Sequence, residues 1–435
     1  MRFPAIPPSS ASKIAEFQKI EPHVATTLPD GRYLHWDELR RRPAPVGLSS
    51  EDWWAALKLG RHGGRVEIPG FMDTSGRPFW YCRLGAIDRA THTLDRRDAV
   101  RSMIEAIGDA AIRTQYRVGQ LIEEAISSSL IEGAKLTTRA EANKMLREGR
   151  TPSTHGERMV ANNYAAMTRL LELSGQRLRI DDLLEIHAFL GADALDSPGA
   201  EGRLRTGGEN VRVEDAVTGD TRFVPPPAAE LPGRLDVLLT FANQGLEVEP
   251  FIHPLLRAIV LHFWLAYLHP FVDGNGRMAR ALFYWEMLRS GYDFAQYLSI
   301  SGPIDRAKRA YYRSFAFTET DECDLTYFLL NQLQVLDAAT AELVEHLRER
   351  SQQMLQVTSA LPSSSTLNHR QRAALLELRR QPQLGTTVAG HATTYGVSYL
   401  TARKDLQDML AVELLKRVRI GKTDHYRPTE RALRR

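Results

Sequence analysis

Apolar positions along the chain fall mostly at helical spacing. Leu255, Leu256, Ile259, Val260, Phe263, Trp264 and Tyr267 share one period and predict a buried helix, which Pro270 ends at or just before His269. A second helix starts near Arg277 and runs through Ala279 to Leu288. The same period runs from Asp98 to Ile131 through Ile104, Ile107, Ala111, Tyr116, Val118, Leu121 and Ala125. It returns over Glu141 to Leu173, Ile180 to Leu190 and Asp324 to Leu347. Alternation is rarer. Arg65 to Ile68 and Pro78 to Tyr81 flank the turn Asp73-Thr74-Ser75-Gly76, in a region where Trp36, Trp53 and Trp54 lie in short helical stretches. Arg203 to Val213 and Thr221 to Val224 flank Thr218-Gly219-Asp220 and predict a second hairpin. The pattern as a whole predicts a mainly α protein.

Ala360 to Thr366 reads as a linker by composition. Beyond it come helices over His369 to Arg380 and Thr386 to Tyr395, a turn at Gly396, and a third helix N-capped by Ser398 and ending at Leu410. Leu415 to Arg419 and His425 to Arg427 then bracket Gly421-Lys422. Three helices followed by a basic hairpin resemble a winged helix-turn-helix, in which Tyr399, Thr401, Arg403 and Lys404 could reach base edges. A protein partner for those arginines is the alternative. The prolines and serines of residues 1–30 predict a partly ordered arm. The expected division is an N-terminal α+β region over 1–95, a helical domain over 96–355, a linker over 356–366 and a C-terminal module over 367–435.

At 435 residues the chain exceeds one ordinary core, and its 43% hydrophobic and 25% charged residues are those of a globular protein. Cys82 and Cys323 are far apart, which gives neither a disulfide framework nor a metal cluster and fits a reducing compartment. No signal peptide is visible, and the longest apolar region is broken by Arg257, His262 and His269, so a cytoplasmic location without a membrane span is expected. The net charge of +3 is uneven: Leu367 to Arg435 holds fourteen Lys or Arg against six Asp or Glu, a net of +8, leaving −5 on the first 366 residues. The basic end therefore suits a different partner from the rest.

Candidate chemistry concentrates in His269-Pro270-Phe271-Val272-Asp273-Gly274-Asn275-Gly276-Arg277-Met278-Ala279-Arg280. Gly274, Asn275 and Gly276 form a short loop whose backbone N–H groups can converge on an anion at the next helix N-terminus. Arg277 and Arg280 share a helix face and could grip two phosphates of one polyphosphate. Asp273 is a hard oxygen ligand suited to Mg²⁺, and His269 can take a proton from a hydroxyl nucleophile. Taken singly, each residue has a plainer reading, as a helix end or a solvated face. Gly274-x-Gly276-x-x-Ala279 also matches a dinucleotide fingerprint, but the preceding pattern is helical where that motif needs a strand. Gly421-Lys422-Thr423 ends like a phosphate loop but has Lys416 where the first glycine belongs.

These twelve residues resemble the signature of the Fic (filamentation induced by cAMP) family, His-Pro-Phe-x-Asp/Glu-Gly-Asn-Gly/Lys-Arg-x-x-Arg, at every specified position. The resemblance covers roughly residues 100 to 340. It implies an all-helical core with a β-hairpin flap, and an enzyme that moves AMP from ATP to a protein hydroxyl. His269 would be the base and Asp273 would hold Mg²⁺. Gly274, Asn275, Gly276, Arg277 and Arg280 would bind the phosphates of ATP.

Upstream, Gly133 reads as a helix C-cap that places Glu132 in the last turn, where the helix dipole disfavours a carboxylate. Ser128-x-x-x-Glu132-Gly133 resembles the family's inhibitory motif, whose Glu pairs with the second motif Arg and blocks the ATP γ-phosphate; carried over, that pair is Glu132 with Arg280. Its place before the catalytic motif resembles the subgroup inhibited from an N-terminal helix. The hairpin at Thr218 to Asp220 lies where the family's flap docks a target by strand addition, an ordinary surface hairpin being the alternative. Asp305, Arg306, Lys308, Tyr311 and Tyr312 form a cluster that either approaches the nucleotide base or packs. The expected partners are ATP, a protein hydroxyl and DNA at the C-terminal module, and a homodimer stays open. The alternatives are a DNA-binding regulator whose Fic domain senses nucleotide, and a Fic enzyme that transfers another phosphate-containing group or removes AMP.

Overall fold

The computed structural model describes residues 3–10, 17–96, 110–136, 138–195, 197, 199–214, 219–360, 367–380, 382–383, 385–421 and 423–433. In chain order these form α1 (Ser50–Gly63), β1 (Arg65–Met72), β2 (Pro78–Cys82), α2 (Gly85–Asp95), α3 (Ala110–Ile131), α4 (Arg139–Glu148) and α5 (His155–Leu173). Next come α6 (Ile180–Gly191), β3 (Val213–Glu214), β4 (Thr221–Phe223), α7 (Leu231–Asn243), α8 (Pro254–Leu268), α9 (Asn275–Arg289) and α10 (Lys308–Thr320). The chain continues as α11 (Thr326–Ala360), α12 (His369–Arg380), α13 (Val388–Tyr395), α14 (Tyr399–Ala411), β5 (Leu415–Ile420) and β6 (Thr423–Pro428). Among the described residues the strands pair as three antiparallel hairpins, β1 with β2, β3 with β4 and β5 with β6, so the fold is mainly α.

The described residues group into two compact units, one from residues 1–96, 169–292 and 303–337, the other from 97–168, 293–302 and 338–435. The first is built on α8, which is apolar on all faces because it is surrounded; all but one of its residues are buried. Pro254 opens it where no N–H is needed, and the His253 side chain accepts from the Leu255 N–H. The β1–β2 hairpin lies against it: Phe71 stacks on Trp264 with ring centres 4.4 Å apart, and Phe79 meets Phe263, Trp264 and Tyr267. Each such ring contributes roughly 1.5–3 kcal/mol by leaving water. A buried ionic group adds to this: Lys58 meets Asp321 at 2.9 Å, Arg61 donates to Tyr327 at 2.9 Å, and Tyr33 donates to Asp324 at 2.5 Å. Two cations face two carboxylates, so no buried charge is left uncompensated. The residues read as an N-terminal region thus share a unit with α8 and α9.

In the second unit α3, α4 and α5 share one apolar cluster, which includes Ile122, Ile126, Met145 and Val160, and residues 367–433 have another. The C-terminal elements follow the sequence reading closely: Ser398 caps α14 by accepting from the Thr401 N–H at 3.2 Å, and Gly396 takes φ +62° before it.

Elsewhere the structure departs from expectation. Glu141 to Leu173 is two helices, because Gly149 ends α4 at φ +64°, a conformation that glycine adopts without strain. The helix expected to stop at Leu347 runs to Ala360, so residues 356–360, assigned to the linker, are helical. The rest of that linker, 361–366, lies outside the described residues, as do the helical residues expected before Ala110 and the turn residue Thr218. No helix of the described residues is long and apolar enough to cross a membrane.

Candidate functional site

The site is the turn from α8 into α9. Proline at 270 stops α8, and His269 takes φ +47°, its N–H still bonded to the Leu265 carbonyl at 3.0 Å. Its Nδ1 lies 3.1 Å from the Ala266 carbonyl oxygen. A carbonyl can only accept, so the proton of the neutral ring sits on Nδ1 and Nε2 carries the lone pair. The half-buried ring can therefore take a proton at Nε2.

Two residues fix this turn from outside it. Arg205, almost fully buried, donates through Nε to the His269 carbonyl at 2.7 Å and through Nη2 to Leu268 at 3.2 Å and Pro226 at 2.6 Å. Its own N–H donates to the Pro270 carbonyl at 2.9 Å. The carbonyls left over at the end of α8 are thereby satisfied by a cation, which the helix dipole also favours. His187 stacks on Phe271 at 3.8 Å, accepts at Nδ1 from the Gly202 N–H at 3.0 Å, and so donates from Nε2 to the Asp273 carbonyl at 2.9 Å. Burial lowers its pKa, which keeps that tautomer neutral.

The loop then turns at Gly274, φ +80°, the N-cap of α9. An added Cβ there would lie 3.4 Å from Arg277 Nη2 and 3.5 Å from His187 Nε2, in a backbone conformation that L side chains rarely adopt. Asn275 is buried, and both its amide atoms bond the Phe271 backbone, accepting at 2.9 Å and donating at 2.8 Å. Its side chain thus closes the loop, and an anion at the start of α9 would meet its backbone N–H, the group the sequence offers for that purpose. The first turn of a helix leaves N–H groups that its own carbonyls cannot satisfy, so the opening of α9 at Asn275 is a place where an anion can be held.

Arg277 and Arg280 both belong to the interior: Arg277 is fully buried and Arg280 nearly so. Arg277 donates to the Leu190 carbonyl at 3.1 Å and lies 3.6 Å from Asp273. The Asp273 side chain is half-exposed and accepts from the Gly274 N–H. Among the described residues no three His, Cys, Asp or Glu side chains gather as a metal cage. One half-exposed carboxylate beside a helix N-terminus would suit Mg²⁺, which takes one or two carboxylates and completes its shell from water and phosphate oxygens.

Tyr311 packs, its hydroxyl 2.9 Å from His262 in the core, whereas Lys308 pairs with Asp305 at 3.0 Å and Tyr312 is exposed. On the β3–β4 hairpin, Phe223 packs against Tyr267 at 5.1 Å. In the second unit, α3 ends at Ile131 and Gly133 caps it at φ +87°, donating to Leu130, while the Ala134 N–H reaches Ser129 at 2.9 Å. Ser128 is buried and Glu132 half-buried in the capping turn. Tyr399, Arg403 and Lys404 are exposed on α14, with Thr401 partly covered beside Ser398. Cys82 and Cys323 are free and buried, their thiols pushed up to about 11 and about 12 by burial.

Sequence reasoning missed Arg205 and His187. Arg205 sits in a stretch with only strand texture, and His187 is one polar position on an amphipathic helix; neither pattern signals chemistry.

Residues 177–287 match the family model described as Fic/DOC family. A protein adenylyltransferase Fic of Nematostella vectensis is 31% identical over 208 residues, 46% of this chain and 45% of its own. The protein of the same description from Drosophila willistoni is 32% identical over 219 residues, 46% of this chain and 40% of its own. The chain thus spans less than half the length of these relatives. A Fic family protein from Desulfovibrio desulfuricans G20, known as a crystal structure, aligns over 80% of this chain and 97% of its own at 22% identity and a TM-score of 0.48.

Proposed function

We infer that residues 177–287 make this chain a member of the Fic/DOC family, and on that premise we propose that it is a protein adenylyltransferase. It moves AMP from ATP to a Ser, Thr or Tyr hydroxyl of a target protein or of itself. One observation carries the reading: His269, with its proton held on Nδ1 by Ala266, stands directly before a helix N-terminus that offers backbone N–H groups and two buried arginines.

The chemistry follows from that order. The target hydroxyl oxygen bonds to the α-phosphorus, the bond from that phosphorus to its bridging oxygen breaks, and pyrophosphate leaves. The hydroxyl proton goes to His269 Nε2, a role that contributes roughly 10²–10⁴ in rate. The N–H groups of Asn275 and Gly276 and the Arg277 and Arg280 guanidiniums hold phosphate oxygens in a site where low polarity strengthens each contact. Mg²⁺ bound at Asp273 would offset phosphate charge. ATP labelled at the α-phosphate against ATP labelled at the γ-phosphate tests the reading: label should enter protein from the α position alone, and label from the γ position would contradict it.

The reading has two companions. Glu132 restrains the enzyme as a carboxylate competing with the ATP γ-phosphate, supported by its place in a glycine-capped helix end within a matching motif. Residues 367–433 form a winged helix for duplex DNA, supported by the local excess of basic residues and by the exposure of Tyr399, Arg403 and Lys404. A cytoplasmic location agrees with two free, buried thiols.

A further inference from the structure

The helix that leads into Glu132 is in contact with the C-terminal module. Within the second unit α3 and α4 pack against α12 and α13. A Cβ added at Gly396 would lie 3.0 Å from Thr114 Cγ2 on α3, and one added at Gly390 would lie 3.2 Å from the Arg147 carbonyl oxygen on α4. Gly390 brings its backbone close to that of α4, and Gly396 brings its backbone close to the Thr114 methyl. Yet the seam is not a core, because Ile122, Met145 and Val160 belong to one apolar cluster and Leu375, Leu406 and Met409 to another.

Between the clusters lies a cavity of about 290 Å³, lined among others by Glu123, Arg139, Lys144, Arg147, Glu377 and His391. A void removes dispersion attraction, and charged groups of both signs at a partly wet seam contribute little net adhesion. Each side keeps its own core when the seam parts, so the module can come away from α3 and α4 without unfolding either. One residue links the seam to the motif: Arg139 lines the cavity, lies 3.5 Å from Glu123, and donates to Ser127 Oγ at 3.0 Å, next to Ser128.

We propose that residues 367–433 are a detachable brace on α3: docked, they hold the end of α3 ordered, and undocking loosens residues 128–132 and relieves the restraint by Glu132. The second half rests on the inhibitory reading of Glu132. Coupling through α3 is reciprocal: the factor by which docking strengthens the restraint is the factor by which the restraint strengthens docking.

The test uses the full chain. Gly390→Trp drives a wedge into the seam, while Thr114→Cys with Gly396→Cys places two thiols across it, to be closed by oxidation and opened by dithiothreitol. Hydrogen exchange over residues 113–133 and the rate of AMP transfer are measured in parallel, with Glu132→Gly as control. The wedge is expected to speed exchange toward the end of α3 by about tenfold or more, as expected for a local opening made easier. It should raise transfer and add nothing in a Glu132→Gly background. The oxidised cysteine pair should slow both, and reduction should restore them. Should Gly390→Trp fail to fold, the cysteine pair decides alone.

Exchange at the end of α3 that ignores both wedge and cross-link overturns the brace, whatever happens to transfer. Faster exchange with unchanged transfer, while Glu132→Gly is active, overturns the regulatory half. If Glu132→Gly leaves transfer unchanged, the inhibitory reading has failed, and the exchange result alone decides whether the brace exists.

Discussion

Arg205 holds the carbonyl of His269: its Nε lies 2.7 Å from that oxygen, and its own backbone N–H bonds the next carbonyl in the chain. One buried cation therefore sets the position of the residue proposed as base without touching substrate. Arg205→Ala leaves several carbonyls with their acceptor capacity unmet, each costing roughly 1–3 kcal/mol. Transfer should fall by about 10² or more, as for a misplacement of about 1 Å, while nucleotide affinity changes little. Kinetics with calorimetric ATP titration check this, and unchanged kcat would show the turn to be self-supporting.

His269→Ala should lower transfer by about 10²–10⁴ with ATP binding largely kept, since a general base acts on rate rather than on phosphate affinity. A collapse of ATP affinity in this variant would make His269 structural.

Acid should destabilise the first unit through two buried histidines. Burial, and then the Arg280 charge, lowers the His262 pKa to about 3; burial lowers that of His35 to about 4. Neither side chain takes a proton in the fold near neutrality, whereas the unfolded chain protonates both below its ordinary value of about 6.5. The unfolded state then binds more protons, so stability is lost as pH falls from about 6.5 toward 4, by about 2 kcal/mol for each histidine at pH 5. All six tryptophans lie in this unit, so their fluorescence in denaturant titrations reports it alone. His262→Leu should reduce the loss between pH 7 and pH 5 by about 2 kcal/mol. An unchanged pH dependence would contradict the buried neutral state.

The full chain should bind duplex DNA with an affinity that falls steeply with salt, because neutralising phosphates releases counterions. Arg403→Ala with Lys404→Ala should weaken binding and flatten the slope of log affinity against log salt by about one for each phosphate that is no longer neutralised. Binding insensitive to salt, or its absence at low salt, would favour a protein partner for α14.

The candidate site was legible where its residues are contiguous. His269, Asp273, the glycine loop and the two arginines sit within twelve residues, and their spacing fixes which share a helix face. Arg205 and His187 were not legible because they reach the loop from 64 and 86 residues away, contacts that only the tertiary fold creates. What the Asn275 side chain does was not legible either: both its amide atoms bond the Phe271 backbone, because a tight loop must satisfy its own backbone groups. Tyr311 shows the same limit: sequence left it between the nucleotide base and the core, and only the fold, with its hydroxyl 2.9 Å from His262, decides for packing. Apolar period made α3, α8, α9 and α11 readable, whereas α2 and α7 had no sequence reading, and ends were not readable, since α11 continues through Leu347 with nothing to cap it there.

Intact mass after incubation with ATP and Mg²⁺ tests the central claim most directly. Purified Glu132→Gly protein should gain one or more AMP residues by self-modification, at a rate at least about 10² above wild type if the carboxylate misaligns the α-phosphate by about 1 Å. The Glu132→Gly, His269→Ala double variant should gain none over the same period. An unmodified Glu132→Gly protein that also places no AMP on any protein of a lysate would contradict the account, as would modification that survives the loss of His269.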